Sequence, residues 1–293
     1  MGRNQIYEPK VARVSGQFAV RGMNYCVNEW GDANLPLLVY LHGWADTGST
    51  FQFVVDALGG DWHVVAPDWR GFGRSSCECT SYWFPDYVAD LHALLELFSP
   101  DEPVRLVGHS MGANVASLYA GTMPERVRAF VNVEGFGLKD SDPDDAPGRY
   151  RSWIERSLEA PTFSEYANLD VLAQRIQKRY PAMGGGAAAF VAREWASEGA
   201  DGTVRLRADR RHKLPNPVLY RRAEAEACCR AITADTLLVV GSESTFAEDI
   251  GSSVERMFPG ASHASIDGAG HMLHFEAPRA LAGVIEDFLQ PSL

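Results

Sequence analysis

No apolar run in the chain approaches the roughly 18 residues that a membrane-spanning helix needs, so none is predicted. A basic excess is missing too. The 27 Lys and Arg are outnumbered by 38 Asp and Glu, and the net charge of -11 argues against a nucleic-acid partner. The five cysteines (Cys26, Cys77, Cys79, Cys228 and Cys229) are odd in number and form no C-x-x-C pair. Neither a full disulfide framework nor a zinc site is expected from them, and reduced thiols in a cytoplasmic protein are the plain reading. The N-terminus lacks the apolar stretch of a secretory signal, and Ile6 stands where a myristoylation signal needs Ser or Thr. Residues 71–76 read G-x-G-x-x-S, which lacks the third glycine of a dinucleotide loop. No acidic residue closes a following strand there, so no cofactor is expected.

What is present is a chain of 293 residues, 46% hydrophobic and 22% charged, long enough for a full core and an insertion. Residues 10–15 and 18–28 read as a hairpin turning at Ser15-Gly16-Gln17. Unbroken apolar runs at 37–41, 62–66, 104–108, 129–133 and 236–240 have the character of strands buried on both faces of a parallel sheet. Helical periodicity over 50–58, 83–98, 111–121, 219–230, 247–257 and 276–289 alternates with them, as does a short strand at 262–266. That alternation predicts βα units. It breaks after Gly137, where an acidic loop leads into helical patterns at 149–160, 168–180 and 187–197. A mostly helical insertion over 138–217 is therefore expected within a core of 1–137 and 218–293. A basic cluster, Arg205, Arg207, Arg210, Arg211 and Lys213, reads first as a solvated face and second as a patch for an acidic ligand.

The most informative stretch is Gly108-His109-Ser110-Met111-Gly112, closing an apolar strand and opening a helix of small residues. A strand, tight turn and helix around G-x-S-x-G holds a serine in strained backbone at the helix start, its hydroxyl pointing out of the sheet. With His42-Gly43-Trp44, Pro67-Asp68-Trp69-Arg70-Gly71-Phe72-Gly73-Arg74-Ser75 and Gly268-Ala269-Gly270-His271 in that order, the chain resembles the α/β-hydrolase superfamily with a helical cap. The resemblance implies a mostly parallel eight-stranded sheet flanked by helices, with the cap over the carboxyl ends of the strands. It also implies Ser110 as nucleophile, His271 as general base, and the backbone N–H groups of Trp44 and Met111 as oxyanion donors. His42 and His109 belong to the motifs as structural residues, and His274 is set aside in favour of His271.

The acid departs from the commonest pattern. Relatives carry Asp three residues past the glycine ending the seventh strand, and here that position is Ser244. Glu134, closing the sixth strand, is the preferred acid, as in haloalkane dehalogenases and a fungal mycotoxin lactonase. Glu243 is the alternative. A serine nucleophile implies hydrolysis of a carboxylic ester or lactone without metal or cofactor. Carbon–carbon cleavage of a vinylogous diketone and a catalytically silent small-molecule receptor are the rivals. Cap aromatics (Tyr150, Trp153, Phe163, Tyr166, Tyr180, Phe190, Trp195) suggest an apolar substrate of moderate size.

Overall fold

Apolar runs without polar alternation must be covered on both sides, and this chain gathers them into one sheet. The computed structural model describes residues 7–76, 79–247 and 252–289. The N-terminal hexapeptide, Cys77 and residues 248–251 of the expected helix at 247–257 lie outside that range. Strands β1 (Val14–Val20), β2 (Met23–Trp30), β3 (Leu37–Leu41), β4 (His63–Pro67), β5 (Val104–His109) and β6 (Val127–Val133) precede the insertion. Three short strands β7 (Glu165–Tyr166), β8 (Ala196–Glu198) and β9 (Val204–Leu206) lie inside it. Strands β10 (Asp235–Gly241) and β11 (Ser262–Ile266) follow. The eight-stranded sheet has the order β1-β2-β4-β3-β5-β6-β10-β11, antiparallel at β1-β2 and β2-β4 and parallel elsewhere.

Alternate side chains of the central strands feed two separate cores. Val39, Leu41, Leu106, Phe130 and Leu238 pack on one face. Leu38, Tyr40, Val107, Val131 and Val239 pack on the other. Helices α1 (Gln52–Val55), α2 (Phe84–Phe98) and α3 (Met111–Thr122) come before the insertion. Helices α4 (Ala146–Leu158), α5 (Leu169–Arg179) and α6 (Gly185–Trp195) lie in it. Helices α7 (Arg222–Arg230), α8 (Ser252–Met257), α9 (Leu273–Glu276) and α10 (Pro278–Leu289) close the chain. No helix among the described residues is long and apolar enough to cross a membrane.

Two local expectations need correction. The hairpin turns at Arg21–Gly22, where both residues have positive φ (47° and 80°), and not at Ser15-Gly16-Gln17. A two-residue turn of this hand matches the twist of the flanking strands, and Gly22 adopts it without penalty. Gly16 instead lies inside β1, paired with Val27. The insertion also carries the small antiparallel sheet β7-β9-β8, whose strands of two or three residues are too short to show a period.

The insertion is bonded to the core at several points. Trp195 at the end of α6 donates its indole N–H to Asp46 (2.7 Å). Glu194 beside it pairs with Arg13 and Arg74 (2.9 and 2.8 Å). The backbones of Gly73 and Asp209 bond to Arg207 and Gly71 (both 2.8 Å). His212 is stacked between Phe72 and Tyr82, with centroids 3.8 and 3.6 Å away. Trp195→Phe keeps an aromatic side chain, though a smaller one, and removes one hydrogen bond to a buried carboxylate. Its urea midpoint should fall by an amount equivalent to about 1–2 kcal/mol, with faster limited proteolysis within the insertion. An unchanged midpoint would mean that the bond does not hold the insertion down.

Candidate active site

The turn after β5 puts Ser110 at the mouth of the sheet. Its backbone has φ 51° and ψ −114°, a region that non-glycine residues rarely adopt. Among the described residues, four non-glycine positions have positive φ, and three of them (Ala45, Ser110 and Glu134) gather here. Stored strain at a functional site is the usual reason for such clustering. The turn closes only because its neighbours lack side chains. A Cβ on Gly112 would sit 2.1 Å from the Leu41 carbonyl, and one on Gly108 would sit 2.5 Å from the Ala113 Cα. The Ser110 N–H donates to the Val133 carbonyl (2.8 Å), which ties the turn to the end of β6.

The chain reverses sharply after β6. The Asn132 side chain accepts from the Gly135 N–H (2.8 Å) and donates to the Gly135 carbonyl (2.9 Å). Glu134 is thereby turned inward and is 1% exposed. A carboxylate buried this deeply must be compensated. Its Oε1 accepts from the Gly241 N–H (2.8 Å), and its Oε2 accepts from the Ser244 hydroxyl (2.7 Å) and from His271 Nδ1 (2.5 Å). With Nδ1 carrying the proton, Nε2 of His271 is left as an acceptor, 3.1 Å from Ser110 Oγ. The structure therefore brings Ser110, His271 and Glu134 into one hydrogen-bonded line. Glu243 is not part of it. Its side chain is exposed, and its backbone N–H donates to the Ala269 carbonyl (3.0 Å).

The loop after β3 faces the same serine. His42 accepts the Trp69 N–H at Nε2 (2.8 Å), so its proton is on Nδ1, donated to the Gly43 carbonyl (2.7 Å). Asp68 holds the loop from below, accepting the Gly48 and Arg74 N–H groups (2.9 and 2.8 Å). The 71–76 segment is thus a structural turn packed on the loop. Trp44, in the loop after β3, and Met111, at the start of α3, both line the cavity that Ser110 lines.

His109 and His274 form a second layer behind His271. His109 donates its Nε2–H to the His271 carbonyl (2.8 Å), and burial holds its ring well below the ordinary imidazole range. His274 is buried and bonds Asp46 Oδ2 through Nε2 (3.0 Å). Asp46, His109 and His274 are near enough to share a cation. Asp46 also accepts from Thr50 and Trp195 (2.9 and 2.7 Å), whereas the buried Nδ1 atoms of His109 and His274 have no hydrogen-bond partner among the described residues. Sequence reasoning missed Asp46 and the part played by Ser244. For Ser244 a signal existed, since a small hydroxyl replacing an acid beside a buried glutamate is the donor that glutamate needs. For Asp46 none did, because apart from the nearby Thr50 its partners lie at positions 195 and 274.

Two chambers meet at Ser110 and Trp44. One, of about 360 Å³, is walled by Tyr82, Trp83, Phe84, Leu138, Trp153 and Leu214. The other, of about 450 Å³, runs past His271 and under the insertion, between Phe163, Tyr166, Ile176, Tyr180 and Trp195. Of the insertion's aromatics, Phe190 packs instead against Phe53, and Tyr150 is exposed.

Known proteins share this fold. A family profile described as alpha/beta hydrolase fold matches residues 36–278. The chain is similar to a serine hydrolase-like protein of Danio rerio, 26% identical over 89% of this chain and 84% of that protein. It is 35% identical to a 3-hydroxybutyrate-oligomer hydrolase of Cupriavidus necator over 47% of each chain. Among solved structures, the thioesterase domain from the curacin biosynthetic pathway superposes with a TM-score of 0.85 at 26% identity, covering 94% of this chain and 99% of that one.

The loop histidine carries a pH signature. Burial pushes the His42 imidazole down from 6.5 to about 4, so the folded protein keeps it neutral where the unfolded chain protonates it. Its contribution is fully present above pH 6.5 and is lost as pH falls toward 4. His109 acts in the same direction, and Asp68, held up at about 6 by burial, offsets part of the loss. Between pH 7 and pH 5 the His42 share is roughly 2 kcal/mol. Urea titrations at the two pH values should show His42→Gln with a shallower dependence by about that amount. Identical slopes would remove His42 as a titrating group.

Proposed function

The chain belongs to the alpha/beta hydrolase fold family, and from that premise we propose that it hydrolyses a carboxylic ester or lactone through an acyl-enzyme on Ser110. The observation that carries this reading is the hydrogen-bonded line from Glu134 through His271 to Ser110. A serine hydroxyl is a poor nucleophile near neutrality unless a base removes its proton as it attacks. His271 Nε2 takes that proton, and Glu134 fixes the ring's tautomer and stabilises the imidazolium that forms. The tetrahedral oxyanion is met by the N–H groups of Trp44 and Met111, which are preorganised donors in a partly closed site. His271 then returns the proton to the leaving oxygen, which departs as the alcohol. Water attacks the acyl-enzyme with His271 again as base, releasing the carboxylic acid and restoring the serine.

The aromatic walls of both chambers favour an apolar substrate of moderate size. The relative from Cupriavidus necator is named as a 3-hydroxybutyrate-oligomer hydrolase, which agrees with this class. A thioester is within reach of the same chemistry, in keeping with the likeness to the curacin thioesterase domain. Ser244 serves the triad indirectly by donating to Glu134.

An organophosphonate should add one adduct per chain, mapped by mass spectrometry to the peptide containing Ser110, and His271→Ala should slow labelling by orders of magnitude. A ligand-binding receptor without turnover predicts no adduct, and an adduct elsewhere would overturn the mechanism. Glu134→Gln should lower kcat/KM on p-nitrophenyl esters by roughly 10²–10⁴-fold, because the His271 tautomer is no longer fixed. Glu243→Gln should change it little, and the reverse ranking would move the acid to Glu243. Product analysis on a lactone and a vinylogous diketone should find only the lactone or a simple ester cleaved.

A further inference from the structure

The two chambers differ in charge, and the difference has a direction relative to the proposed chemistry. The chamber that runs past His271 is lined by Arg175, Arg179 and Lys213 and by no Asp or Glu among the described residues. This is unexpected in a chain with a net charge of -11. Arg175 and Arg179 lie one turn apart on α5, with Ile176 between them buried in the insertion's core. Each cation rests over an aromatic ring: Arg175 over Tyr166 (5.9 Å), Arg179 over Tyr180 (5.6 Å) and Lys213 over Phe163 (4.6 Å). Ring contacts of this kind hold a cationic head in place without neutralising it. Lys213 also donates to the Thr162 carbonyl (2.7 Å). None of the three forms an ion pair with a carboxylate among the described residues. Neighbouring basic groups are used otherwise. Arg205 is taken by Asp201 and Glu165 (both 2.7 Å), and Arg211 by Asp209 (2.5 Å). The opposite chamber is walled mainly by aromatic and aliphatic side chains, with uncharged Asn114 and Asn216 among them, and among the described residues the one Arg or Lys lining it is that paired Arg211.

We infer that the chamber beside His271 receives the leaving-group half of the substrate and that this half carries an anionic group, a carboxylate or phosphate, held by Arg175, Arg179 and Lys213. The apolar acyl half occupies the opposite chamber. The inference rests on the roles proposed for Ser110 and His271. His271 must hand its proton to the leaving oxygen, so that oxygen lies on the side where the imidazole forms the wall. His271 lines the cationic chamber and not the other, whereas Met111 and Asn114 line the more apolar one and not the cationic one. No covalent step beyond acyl transfer to water is involved.

The test compares the octanoyl ester of 4-hydroxybenzoate with the octanoyl ester of methyl 4-hydroxybenzoate, which share an acyl chain and differ by one charge on the leaving group. The ratio of their kcat/KM values, charged over neutral, should fall roughly tenfold in Arg175→Gln/Arg179→Gln. In the unmodified protein the same ratio should fall as salt is raised, because Arg175 and Arg179 are exposed. A ratio indifferent to both would overturn the inference. So would a larger effect on an ester bearing its carboxylate on the acyl end, which would reverse the orientation. Calorimetric binding of both uncleaved esters to Ser110→Ala separates the two levels. Failure to hydrolyse either ester would defeat the hydrolase reading, whereas equal binding of the two esters to Ser110→Ala would defeat the anion site alone. If the double variant does not fold, the salt dependence and the binding ratio decide.

Discussion

The arrangement turns on one buried charge. Glu134 ends a strand in the middle of the sheet, where an uncompensated carboxylate would cost several kcal/mol. Its three donors come from three places: the end of β10 (Gly241), the turn after it (Ser244) and the loop before α9 (His271). Satisfying the glutamate therefore draws the two halves of the chain together across the carboxyl end of the sheet. The replacement at 244 follows from the same requirement. An aspartate there would put a second negative charge against the first, with only one imidazole between them. A serine supplies a proton instead. A carboxylate at 134 and a hydroxyl at 244 thus meet one requirement together.

Elements whose signal is local could be read from the sequence. The buried strands at 37–41, 104–108 and 236–240 announce themselves by composition, and the turn at Ser110 by its glycines. The hairpin turn escapes such reading because Arg21-Gly22 carries one weak signal, whereas Ser15-Gly16-Gln17 looks more like a turn than it behaves. The strands of the insertion could not be read at all, since two or three residues complete no period. The proposed acid sits between these cases. Glu134 is legible as a charge closing an apolar strand, but its contact with His271, which Glu243 does not share, depends on a register that only the packed sheet fixes.

Asp46 belongs to the class that no local pattern announces. It sits in the loop after β3, two residues from Trp44, and accepts from His274 and from Trp195 across the insertion. His274 is one turn from His271 on the same short stretch, and His109 holds the His271 carbonyl. The backbone that carries His271, the proposed base, is consequently braced from beneath by groups that also hold the insertion. The insertion is therefore part of the support of the site as well as its cover.

That double role restricts which residues can set substrate choice without disturbing the site. Trp195 is a chamber wall and a donor to Asp46, so reshaping the pocket there also removes a bond from the loop that faces Ser110. His212, clamped between Phe72 and Tyr82, and Asp209, which accepts from Tyr82, are tied in the same way. Arg175 and Arg179 differ, because their heads rest on rings of the insertion and form no ion pair with the core among the described residues. Their charge can act on whatever enters the chamber without being coupled to the Asp46 network. Selectivity placed on such side chains is separable from the geometry of the triad, and α5 presents both of them on one turn beside the proposed leaving group.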